Sequence, residues 1–190
     1  MTRALLLACL TLGLAGAASS PRMSDPPRPP LSRPSAHTPA QLGQARPTLD
    51  LLVTLRLLAD LLERGTFAPA TGARAELREM LGDLAARPTL GPLAAGRALE
   101  GVRAALTVSQ RGMLDRARTS LEERADLLLA RARFAAPDGP PNHALNRYGF
   151  MVPGGLALAR RVAAAPDLNP YAEAGVNAQL LRRLLAKLTP

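Results

Sequence analysis

Residues Pro47–Gly65, PTLDLLVTLRLLADLLERG, carry the clearest structural signal in the chain. Leu51, Leu55, Leu58 and Leu62 recur at three- and four-residue steps, which places them on one face of an α-helix, and Leu52 and Ala59 widen that face. Thr48 reads as the N-cap, with Asp50 in the first turn, and Gly65 reads as the glycine that ends the helix. Asp50, Arg56, Asp60, Glu63 and Arg64 interrupt the apolar run, so a membrane span is excluded.

Downstream, three segments open alike: Thr66-Phe67-Ala68-Pro69, Thr89-Leu90-Gly91-Pro92 and Leu106-Thr107-Val108-Ser109. Each precedes an amphipathic pattern. The first gives a face of Ala73, Leu77, Met80, Leu81 and Leu84, with Asp83 and Arg87 spaced to pair on the solvent side. The second gives Leu99, Val102 and Leu106, and the third a long stripe of Leu114, Ala117, Leu121, Ala125, Leu128 and Ala132. Short links between such helices predict an all-α fold, a small antiparallel bundle of four to six helices. The composition agrees: with three Phe, two Tyr and no Trp, the core must be built from Leu, Ala and Val.

After a break at Ala135–Pro141, Asn142 is placed to cap a short turn, and Tyr148, Phe150 and Met151 are expected to dock on the bundle. Leu156 to Ala165 reads as a helix stopped by Pro166. Asn177 is placed to cap the last helix, in which Leu180, Leu181, Leu184, Leu185 and Leu188 oppose Arg182, Arg183 and Lys187. That basic face contains no acid, so Arg182, Arg183 and Lys187 are candidate contacts to an anionic surface, although a packed helix with cations near its C-terminus explains them as well.

Upstream, the chain changes character. Met1-Thr2-Arg3, an apolar run of 14 residues and the small residues Ala15-Gly16-Ala17-Ala18 have the parts of a secretory signal over residues 1–18. Cleavage after Ala17 or Ala18 removes Cys9, the one cysteine, and with it any thiol chemistry; acylation at Cys9 is the lesser alternative. Residues 19–47 are dense in Pro and Ser and poor in large apolar side chains, so they are expected to form a disordered tether. The domain reading is therefore signal 1–18, tether 19–47, helical bundle 48–135 and a loop-rich C-terminal segment 136–190 ending in a packed helix.

The net charge of +9 raises the question of nucleic acid. The excess is spread along the chain, and 23 of the 24 basic residues are Arg, Lys187 being the exception. No aromatic residues interleave with the charges, so a solvated surface outranks nucleic-acid binding.

Catalytic groups are hard to assemble. His37 and His143 lie in the tether and a loop with no helical partner, which argues against a metal or other cofactor. Gly154-Gly155 reads as a turn, and Glu122 and Glu123 point in different directions on a helix. No enzyme is expected.

One motif remains. Thr107-Val108-Ser109-Gln110 is a capping box, in which each side chain bonds the other residue's backbone N–H. In an exported helical chain, LTVSQR resembles the LTxxQ motif of periplasmic envelope-stress proteins of the Spy and CpxP type, and Leu106, Thr107 and Gln110 are the matching residues. The resemblance implies a helical homodimer that acts on protein partners or the envelope as a chaperone, a stress-signalling inhibitor or a metal-resistance accessory. A second LTxxQ is usual there, whereas Phe67–Thr71 and Leu90–Ala94 here keep neither its Thr nor its Gln. The chain resembles equally the uncharacterised secreted helical proteins of GC-rich bacteria whose helices open with LTPxQ-like caps.

Overall fold

The computed structural model describes residues 39–132 and 142–189. Seven helices make up the fold among these residues: α1 (Pro39–Glu63), α2 (Thr71–Ala86), α3 (Pro92–Ala104), α4 (Val108–Ala132), α5 (His143–Met151), α6 (Gly155–Ala164) and α7 (Val176–Lys187). The all-α class is as the sequence predicts, with one helix more than the upper expectation. No strand is present among the described residues, and the one extended pairing is an isolated antiparallel bridge between Thr89 and Leu168. The leader with Cys9, most of the tether with His37, and the break at 133–141 lie outside the described residues.

Helix α1 is the centre. It packs against α3, α4, α5, α6 and α7. Leu49, Leu51, Leu52, Val53, Leu55 and Leu58 are consequently all fully buried, on every side of the helix and not along one stripe. A helix that is apolar all round can be stable only if it is enclosed, and each such side chain contributes about 1.5–3 kcal/mol on burial.

Two expectations about the start of α1 are corrected. The helix begins at Pro39, so residues 39–47, read as tether, are its first turns. Leu42 and Ala45 extend the face of Leu49 and Leu52 at steps of three and four, and their packing offsets the cost of Pro47 inside the helix. Thr48 is therefore no N-cap: it sits within the helix, fully buried, and its Oγ1 has no hydrogen-bond partner.

Other helix ends follow their local sequence. Gly65 takes a positive φ of 68°, and its N–H reaches the Leu62 carbonyl, closing α1. Asn142 Oδ1 accepts from the Leu145 N–H at 3.0 Å and starts α5. Phe67, Leu90 and Leu106, one apolar residue from each of the three similar openings, are buried, whereas Val108 of the third is exposed. Leu77, Leu81 and Leu84 of α2 and Val102 of α3 are buried as their spacing predicts.

Elsewhere tertiary structure overrides the pattern. Asp83 and Arg87 form no ion pair, because Arg87 turns out of α2 with φ −75° and ψ 130°. Asn177 is not a cap but a buried residue inside α7, donating from Nδ2 to the Pro153 carbonyl at 3.2 Å. Phe150 is 39 % exposed while Met151 beside it is buried. The α4 stripe is buried at Leu114, Leu121 and Ala125 but runs past its cover at Leu128, which is 44 % exposed.

Two loops tie the outer helices down. Asn169 Nδ2 donates to the Leu84 and Arg87 carbonyls at 2.9 and 2.7 Å, so it satisfies the end of α2 from 80 residues away or more. Helices α5 and α6 meet at Gly149, where an added Cβ would lie 2.9 Å from the Leu156 Cα. Gly154, at φ 98°, makes the turn between them.

Candidate functional site

Asp50 stands on α1, and its carboxylate gathers groups from two other helices. Oδ1 accepts from Arg118 Nη2 of α4 at 2.6 Å and from the Tyr148 hydroxyl of α5 at 2.8 Å. Oδ2 lies 3.6 Å from Arg46 Nε, one turn earlier on α1. Arg118 Nε also donates to Glu122 Oε1 at 2.9 Å. Arg147 of α5 then bridges Glu122 and Asp126, with Nη2 at 3.4 and 3.1 Å from their carboxylates. Its Nε is 3.0 Å from Asp126 Oδ1, in contact but not aligned for a hydrogen bond.

The spacing explains how α4 supplies three members. Arg118, Glu122 and Asp126 recur every four residues, so they form one polar stripe facing α1 and α5. That stripe floors an open cleft of about 580 Å³. Leu42 and Arg46 of α1 contribute one wall, Leu129 and Ala130 continue the α4 side, and His143, Ala144, Arg147, Tyr148 and Met151 of α5 form the other.

The electrostatics are those of a mutually satisfied cluster. Burial alone would lower the Arg118 pKa, but hydrogen bonds to Asp50 and Glu122, with their charges, hold it above its ordinary value. Burial also pushes the Tyr148 phenol up, and the Asp50 charge and hydrogen bond add to that. Tyr148 is therefore a protonated donor that fixes α5 on α1. Arg46 differs from the other two arginines: among the described residues it makes no hydrogen bond, and its side chain is 71 % exposed.

Of the residues singled out by sequence, Glu122, His143 and Tyr148 lie at the cleft, and those of the LTVSQR motif and the basic face of α7 fall elsewhere. Thr107 and Gln110 do form the capping box, with Gln110 N–H to Thr107 Oγ1 at 3.2 Å and Thr107 N–H to Gln110 Oε1 at 3.0 Å. Gln110 does more than cap, since Nε2 donates to the Ala68 carbonyl at 3.0 Å and ties the start of α4 to the α1–α2 link. Leu106 is buried beneath it. On α7, Arg183 pairs with Glu63 of α1 at 3.1 Å, so the basic face is not free of acids. Arg182 and Lys187 remain exposed and outside the ion pairs of the described residues.

Among the described residues no group of three or more His, Cys, Asp or Glu is arranged to hold a metal ion. His143 is exposed at the start of α5 and lines the cleft. Glu122 and Glu123 diverge, the first held by two arginines and the second exposed.

The sequence alone does not disclose the cluster. Two local signals existed, the Arg46–Asp50 step and the Arg118–Glu122–Asp126 stripe, but both look like ordinary solvent-side helix pairs. The contacts that make a site span 68 and 98 residues. No helix among the described residues is long and apolar enough to cross a membrane. Compared with known protein families, with curated proteins and with solved structures, the chain matches none.

Proposed function

We propose that the chain is a non-enzymatic, exported helical protein that binds other proteins or an envelope component, in a stress- or chaperone-like role. The carrying observation is the exposed apolar surface near the end of α4, where Leu127 and Leu128 are 62 % and 44 % exposed. They lie off the face of α4 that lines the cleft, whose charged groups are largely paired with one another. Open apolar surface rimmed by charge suits recognition of another chain. The N-terminal signal pattern supports export, and the LTVSQR helix supports the stress role.

The test is suppression of aggregation of several unfolded client proteins by the mature chain. Suppression weakened by Leu127→Asp and Leu128→Asp is the expected result; no effect on any client defeats the chaperone form. Mass spectrometry of the mature N-terminus distinguishes cleavage after Ala17 or Ala18 from acylation of Cys9.

A second reading, binding to an anionic surface, rests on Arg182 and Lys187, both exposed on α7. The Arg183–Glu63 pair reduces the charge that face offers. Binding to anionic vesicles or DNA should fall steeply with salt on this reading, and salt-independent binding rejects it.

A further inference from the structure

Resting on the protein-binding reading, we infer that the cleft between α1, α4 and α5 accepts an amphipathic helix of a partner protein whose acidic residue pairs with Arg46. Three observations carry this. The first is shape: the cleft is walled by three helices and follows α4 from Arg118 to Ala130, about 18 Å at the helical rise. That length matches about three turns of a docked helix, and no sheet edge exists among the described residues to take an extended strand.

The second observation is charge. Asp50 Oδ1 is already bonded by Arg118 and Tyr148, and Arg147 is engaged by Glu122 and Asp126. Arg46 alone among the three arginines of the cleft has no hydrogen bond among the described residues, and its one contact, to Asp50, is 3.6 Å long. Its guanidinium can meet an incoming carboxylate without breaking the cluster beneath. Such a rim charge selects a partner more than it adds affinity.

The third observation separates a peptide from a lipid-like occupant. Charged side chains recur at every turn of α4 from Arg118 to Asp126. An acyl chain laid along that wall would strip water from them and return no hydrogen bond. A peptide helix covers Leu42, Leu129 and Ala130 with its apolar face while its polar flank keeps the charged stripe satisfied.

The experiment uses the mature full chain and two fluorescently labelled peptides of about fifteen residues, long enough to form helix. Both carry leucines at i, i+3, i+4 and i+7; one has Glu beside that face and the other Lys. The Glu peptide should bind more tightly, on the order of three- to fivefold. Arg46→Glu should reverse the preference, Arg97→Glu on α3 should leave it unchanged, and Ala144→Trp should weaken both peptides by filling the cleft. Circular dichroism confirms that each variant is folded. Equal binding of the two peptides, a preference unmoved by Arg46→Glu, or binding of dodecanoate with no binding of either peptide would overturn the inference. If neither peptide binds while client aggregation is still suppressed, the cleft assignment falls and the protein-binding reading stands; loss of both defeats both.

Discussion

The Tyr148 hydroxyl donates to Asp50 Oδ1 at 2.8 Å across 98 residues of sequence, and that bond pins α5 to the central helix. A hydrogen bond to a charged acceptor contributes more than a neutral one. Tyr148→Phe should therefore destabilise the fold by about 1–2 kcal/mol, measured by urea unfolding. The buried Tyr171 hydroxyl offers an internal comparison, since it has no hydrogen-bond partner. Tyr171→Phe removes a desolvated group and should be neutral or stabilising by up to about 1 kcal/mol. Equal losses in the two variants would contradict the assignment of the Asp50 bond.

Both tyrosines of the chain are held protonated, Tyr148 by burial and then by Asp50, Tyr171 by burial. Each folded pKa lies above the ordinary value of 10.0, so the stability this brings is fully present below pH 10 and is lost as pH rises toward and through the folded values. Above that ordinary value the unfolded chain ionises and the native chain does not. Alkaline titration should thus show phenolate absorbance appearing together with loss of helical circular dichroism. Phenolate formation in a fully helical protein near the ordinary value would refute this.

Thr48 discriminates between two accounts of α1. As an N-cap it would lose about 1 kcal/mol on replacement by Val. Buried within the helix with an unpaired Oγ1, it should instead gain up to about 1 kcal/mol. The sign of the change in thermal midpoint for Thr48→Val decides, and a clear loss would restore the cap.

At Gly149 of α5 the start of α6 comes close. A methyl group there would sit 2.8 Å from the Leu156 Cβ and 2.9 Å from its Cα, and backbone cannot step aside cheaply. Gly149→Ala should cost about 1–3 kcal/mol. At Gly101 the obstructing atom is the tip of Met80, which can rotate away, so Gly101→Ala should cost far less. Denaturant midpoints of the two variants test the contrast.

As local objects, the helices are legible in the sequence. Leucine spacing located the body of α1, Gly65 its end, Thr107 and Gln110 the start of α4 and Asn142 the start of α5, because these rest on interactions within one turn of the chain. Tertiary structure decided the rest. The enclosure of α1 by five neighbours turned an apparent stripe into an all-round core, carried the helix through Pro47 to Pro39, and buried Thr48 where a cap was expected. It paired Arg183 with Glu63, removed Arg87 from the reach of Asp83, and assembled Asp50, Arg118 and Tyr148 from three helices. Periodicity records which face of a helix is apolar, whereas a polar site depends on which helices become neighbours, and that follows from packing the whole core.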